Sequence, residues 1–169
     1  DVPFFDLDFG RIGAAICFDL NWLEIWQKFS EMNIDLACWI SAYEGGYPLI
    51  RNAQTFKYPI VSSVYPYHAK IIDITGEILN KTSRWSRIAY YALNLDREIY
   101  HTDNQMDKIL AVQKKFGADV DLKAYTEEHL FMITNNRQDS SIKDIEQEFG
   151  LVSYKDYISA CTDFRNKNL

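Results

Sequence analysis

The sequence predicts an α/β protein in which residues 1–100 build a mixed sheet and residues 101–169 form a mainly helical extension. Three observations carry this reading. Residues 3–56 alternate between strand-like and helix-like hydrophobic periods. A Thr75-Gly76 step joins two strand-like runs as a tight hairpin. After His101 the apolar residues fall at spacings of three and four.

Phe5, Leu7 and Phe9 alternate, Gly10-Arg11 marks a turn, and Ile12 to Phe18 is a short apolar run, so residues 3–18 read as a hairpin whose second strand is buried on both faces. Trp22, Ile25, Trp26, Phe29 and Met32 then define an amphipathic helix, with Asp19 or Asn21 available to cap it. Ile34 to Ile40 reads as a third strand, 41–46 as a loop, and Leu49, Ala53 and Phe56 as one face of a second helix. Residues 60–64, 69–74, 77–80 and 88–95 are strand-like, and the hairpin among them makes the sheet mixed rather than parallel. Met106, Ile109, Val112 or Gln113, and Phe116 fall on one face of a helix that Gly117 should stop. A short apolar segment, 130–133, precedes helices starting near Ser141 and Ser153, each with an Asp three residues on, and Gly150 separates them.

Composition narrows the function classes. The chain has 169 residues, 47% hydrophobic and 15% aromatic, which suffices for a core and excludes collagen-like and disordered readings. Its net charge of −6 divides evenly between 1–100 and 101–169 and leaves no basic stripe, so neither nucleic acid nor membrane is expected as a partner. Cys17, Cys38 and Cys161 match no zinc spacing and leave one thiol over in any pairing, which points to a reducing, cytoplasmic setting. His68, His101 and His129 are scattered, so no metal is expected. The helices at 141–149 and 154–164 have helix-turn-helix spacing. The second carries Lys155 against Asp156 and Asp163, which favours packing or protein interaction over a DNA groove.

Cys17 is the first candidate for chemistry, at the end of a strand and just before a helix. Ligands of open α/β sheets gather at such strand ends. Backbone N–H groups at the helix start can stabilise a thiolate, and the N–H after the nucleophile can face an oxyanion. Ser41, Tyr43 and Glu44, on the loop after the next strand, belong to the same sheet edge and are candidate substrate-binding residues. His68 reads as a surface histidine.

The run GRIGAAICFDLNWLE, Gly10 to Glu24, resembles the nucleophile motif of the nitrilase (carbon–nitrogen hydrolase) superfamily. The likeness extends through Asp35 to Ser41 and through HAKIIDITGEIL, covering about the first hundred residues. It implies the C-terminal part of a nitrilase-like four-layer α-β-β-α sandwich, hence a fragment of a longer domain. It implies a cofactor-free thiol amidohydrolase acting on a small-molecule amide or carbamoyl compound, and a homo-oligomer. Cys17 would be the nucleophile, and the backbone N–H of Phe18 an oxyanion donor. The Cys-aromatic-Asp order of residues 17–19 resembles amidase-type branches. Asn21 stands where some relatives carry an Arg, and an amide offers a substrate carboxylate neither charge nor a bidentate fork.

The family's general-base Glu and its Lys lie upstream of the nucleophile, and residues 1–16 contain neither. Glu24, Glu44, Lys57 and Lys70 are the later candidates and read as solvated or supporting charges. The isolated chain is therefore expected to be nearly inactive, and a catalytically incompetent binding module is the alternative reading.

Overall fold

The computed structural model describes residues 2–169. Two compact units divide between Leu93 and Asn94. The first holds a six-stranded sheet: β1 (Phe4–Leu7), β2 (Gly10–Ile16), β3 (Leu36–Ser41), β4 (Ile60–Val64), β5 (Lys70–Ile72) and β6 (Ile78–Lys81), ordered as numbered. Strands β2, β3 and β4 run parallel, and the outer pairings are antiparallel. The sheet is mixed, within an α/β fold. A 3₁₀ turn, Cys17–Asn21, and helix α1 (Leu23–Glu31) link β2 to β3, and helix α2 (Gly46–Phe56) links β3 to β4.

Register shows which face carries the core. Ala15 lies beside Trp39, Ala37 beside Ile60, and Ile60 beside Ile72, so these side chains share one face. Trp26 and Phe29 of α1 and Leu49 and Ala53 of α2 complete that cluster, all of them almost fully buried. Gly13 belongs to the same face, and its lack of a side chain admits Phe29: a Cβ there would stand 2.8 Å from the ring. Tyr58 closes the lower edge, its hydroxyl donating to the Trp26 carbonyl at 2.8 Å. Burial pushes that phenol well above its ordinary pKa.

The opposite face differs from the expectation that β2 is covered on both sides. Ile16 and Ile40, neighbours in register, are 63% and 54% exposed. The reason is connectivity: both crossover helices lie over the Ala15 and Trp39 face. Three local expectations also shift. The first turn falls at residues 8–9, and Gly10 and Arg11 already belong to β2. Neither Asp19 nor Asn21 caps α1; Asp19 instead accepts from the Ile16 N–H at 2.8 Å and closes the 3₁₀ turn. Residues 88–95 form no strand, because a strand needs a ladder partner, and the Asn80 side chain takes the Tyr90 carbonyl instead.

The second unit is helical and stranded together. Strands β7 (Arg97–His101), β8 (Val120–Tyr125) and β9 (Leu130–Asn135) form an antiparallel sheet in the order β7-β9-β8. Helices α3 (Met106–Phe116) and α4 (Ile142–Phe149) contribute Ile109, Val112, Ile142 and Ile145 to a core with Tyr100, Val120 and Ile133. Residues 120–125 escape sequence reading because their alternation is charged on one side, as befits a strand with one open face. Helix α5 (Tyr154–Lys167) follows Gly150, which adopts the left-handed conformation. Ser141 and Ser153 cap α4 and α5, each accepting from the N–H three residues on. Gly117 ends α3 at positive φ, with ψ outside the left-handed helical well.

Gly13→Ala should destabilise the protein by about 1–2 kcal/mol in urea unfolding, as overpacking against Phe29 outweighs the entropy gained from the unfolded chain. Because the Tyr58 phenol is held protonated, the native state binds more protons than the unfolded chain above the ordinary tyrosine pKa. Stability should therefore fall as pH rises beyond about 10. Tyr58→Phe should flatten part of that slope in unfolding measurements across the alkaline range.

Candidate functional site

The parallel strands β2, β3 and β4 end at one edge of the sheet, and residues 17, 41–44 and 65–68 follow them there. Cys17 leaves β2 with φ of 51°, in the left-handed region. For a residue with a Cβ that costs on the order of 1–2 kcal/mol, so the surroundings must impose it. They do so through the Cys17 carbonyl, which accepts from the Trp39 indole N–H at 3.0 Å and from the Tyr43 hydroxyl at 3.2 Å. The Asp19 carboxylate on the Ile16 N–H, and the Asp19 carbonyl under the Trp26 indole at 3.0 Å, fix the other side of the turn. The Cys17 residue is left half-buried.

Tyr43 is the hinge between two loops. Its ring meets Trp39 edge-on at 5.2 Å, and its own N–H donates to the Ser41 hydroxyl at 3.0 Å. Burial raises the Tyr43 phenol above its ordinary value, opposed by its hydrogen bond with Asn21, so it remains a donor. Asn21 also donates to the Phe18 carbonyl at 3.1 Å. Phe18 itself presents an exposed ring, packed edge-on against Trp22 at 5.4 Å. Its N–H belongs to the first residues of the 3₁₀ turn, which have no acceptor within a helix.

Glu44 points away from this group. Its carboxylate pairs with His68 Nδ1 at 2.9 Å. Beneath the pair, the buried Lys70 ammonium donates to the Glu44 carbonyl at 3.1 Å and the His68 carbonyl at 2.8 Å, tying together the loops after β3 and β4. Desolvation lowers the Lys70 pKa, and the Glu44 charge works against that shift.

Thus Cys17, Asn21 and Tyr43 form one connected group with Ser41 supporting it, while Glu44 joins a second group with His68 and Lys70. Trp39, His68 and Lys70 were not singled out by the sequence as parts of this edge. Trp39 reads as a core residue, and only register shows that its indole N–H reaches the end of the neighbouring strand. Cys38, the other thiol of β3, is raised in pKa by burial. Among the described residues no group of three or more His, Cys, Asp or Glu side chains is arranged to hold a metal ion. Among them, too, no helix is long and apolar enough to cross a membrane.

No family model matches the chain, and no curated protein matches it. Solved structures do resemble it over about half its length. One is an amidase from Nesterenkonia sp., 13% identical over 48% of this chain and 37% of that one, with a TM-score of 0.45. Another is a CN-hydrolase superfamily protein from Xanthomonas campestris, bearing an arsenic adduct in its active site. It is 13% identical over 48% of this chain and 39% of that one, with a TM-score of 0.43. The chain therefore spans well under half of either protein.

Because Trp39 and Tyr43 donate to the same carbonyl, Trp39→Phe and Tyr43→Phe should be non-additive. Each should destabilise, Tyr43→Phe by about 0.5–1.5 kcal/mol and Trp39→Phe by more, since Trp39 is fully buried and the smaller ring leaves a void. The double variant should differ from their sum by at least about 0.5 kcal/mol in urea unfolding. Strict additivity would show that the two donors do not share the Cys17 carbonyl.

Proposed function

We propose that this chain carries the nucleophile of a thiol-dependent amidohydrolase that cleaves a non-peptide C–N bond in a small amide or carbamoyl compound. The observation behind this reading is Cys17 held in a left-handed conformation at the carboxyl edge of a parallel strand, with its carbonyl anchored by Trp39 and Tyr43. A nucleophile on a strained strand-to-helix turn presents its side chain outward while the following N–H groups face the same space. The motif likeness of residues 10–24 to carbon–nitrogen hydrolases supports the same assignment.

In the proposed reaction the Cys17 thiolate adds to the amide carbon, and the Phe18 N–H takes the developing oxyanion. Collapse expels the protonated amine and leaves a thioester on the sulfur. Water then adds to the thioester carbon, releases the acid and returns the thiol. Asn21, Ser41 and Tyr43 line the approach, with Tyr43 acting as a positioning residue through the Cys17 backbone. Glu44 belongs to the adjoining His68 group and borders the site. An ordinary thiol is only a few per cent ionised at neutral pH, so the reaction needs a base and a cation near the sulfur. In the resembled family a Glu and a Lys upstream of the nucleophile fill those roles, and residues 1–16 hold neither. The assembly that acts is proposed to be a cytoplasmic homo-oligomer needing no cofactor.

The test is competitive alkylation. With limiting iodoacetamide at neutral pH and peptide mass mapping on the assembly that acts, Cys17 should be modified several-fold faster than the exposed Cys161. Cys38, whose thiol burial holds protonated, should be slowest. Modification of Cys17 no faster than Cys161 would remove the nucleophile assignment and leave the chain as a binding module.

A further inference from the structure

An open cavity of about 270 Å³ lies over the β4–β5 ladder, at a distance in sequence from the Cys17 turn, and is bordered on one side by residues 87–89. Its wall is mixed: Val61, Val64 and Ile71 give it apolar surface, and Ser62, Ser63 and Thr82 stand among them. The hydroxyls in it are largely committed. Ser62 accepts from the Lys70 N–H at 2.7 Å, and Thr82 accepts from the Ala69 N–H at 2.9 Å.

Charge singles the cavity out. Its charged lining residues are Lys70 and Arg87, with no carboxylate among them, in a chain whose net charge is −6. The Lys70 ammonium is spent on two backbone carbonyls. Arg87 is not spent in this way. Its guanidinium sits 5.8 Å from the Tyr67 ring centre, and no carboxylate pairs with it among the described residues. A guanidinium that meets a ring at this distance and no carboxylate keeps the planar N–H fork that matches a carboxylate. A mixed wall bordered by one planar cation that has no carboxylate partner suits a small body bearing a single negative group. The volume is slightly below that of drug-sized sites, which sets the size class at a small metabolite.

We propose that this cavity binds a small organic carboxylate, with Arg87 gripping the carboxylate and the β4–β5 wall seating the rest of the molecule. This goes beyond the amidohydrolase reading and does not depend on it.

The experiment is an amide-resolved NMR titration of the full chain with isovalerate and benzoate, each set against its primary amide, at millimolar concentrations. The carboxylates should give saturable shifts at Ser63, Ala69 and Ala89, and the neutral amides should bind roughly tenfold or more weakly. Arg87→Gln should lose the same factor, whereas Arg84→Gln, a neighbouring cation outside the lining, should bind as the unaltered chain does. Ala89→Trp, which fills the cavity and keeps Arg87, should abolish the shifts. Cys17→Ser should bind carboxylates unchanged, which separates this site from the thiol chemistry. Carboxylate binding that survives Arg87→Gln, amides that bind as well as carboxylates, or the absence of saturable shifts with either acid would each overturn the proposal.

Discussion

The carboxyl edge of the sheet depends on one acceptor, the backbone carbonyl of Cys17. Two side chains from the next strand and its loop, Trp39 and Tyr43, donate to it, so the end of β2 is bound to the end of β3 by more than the ladder between them. A buried indole N–H must find an acceptor, and Trp39 is fully buried. Its bond to Cys17 therefore serves the core and the edge together. The same bond holds Cys17 in a backbone conformation that a residue with a Cβ adopts at a cost. Packing energy from the helix-covered face thus stabilises strain at the strand end.

This coupling explains why a glycine and several small residues stand where they do. Gly13, Ala15 and Ala37 let the rings of Trp26, Phe29 and Trp39 lie close to the sheet. That closeness brings α1 down onto the 3₁₀ turn, where the Trp26 indole meets the Asp19 carbonyl. The turn after Cys17 is consequently gripped from β3 on one side and from α1 on the other. A second clamp operates one loop away, where Lys70 draws the backbones of Glu44 and His68 together. Both clamps use side chains buried within the sheet layer to order loops at its rim, which is how a rigid scaffold makes loop residues reliable in position.

The two faces of the six-stranded sheet have different fates. The helix-covered face is closed, whereas Ile16 and Ile40 stand open on the other. Segment 83–93 carries Trp85, Ile88, Tyr90 and Tyr91 with much of their surface exposed. In the second unit the helices and a three-stranded sheet share a core, so its stability rests on strand pairing as much as on the caps at Ser141 and Ser153.

Residue order alone determined the elements whose cause is local. Hydrophobic period placed β2, α1, β3, α2 and β4, the Thr75-Gly76 step placed the β5–β6 hairpin, and Ser-x-x-Asp with Gly150 placed α4 and α5, because periodicity, turn chemistry and caps act within a few residues. The same order marked Cys17 and Asn21 within one motif and set Tyr43, with Ser41 and Glu44, on the neighbouring loop of the same sheet edge. Only the tertiary structure decided what lies across strands. It put the Trp39 indole under the Cys17 carbonyl, turned Glu44 towards His68 and made 120–125 a strand. It denied a ladder partner to 88–95 and left Arg87 without a carboxylate. Each of these turns on which residues meet across the chain and which do not, and no local pattern encodes which buried donor will meet which acceptor until the sheet has brought them together.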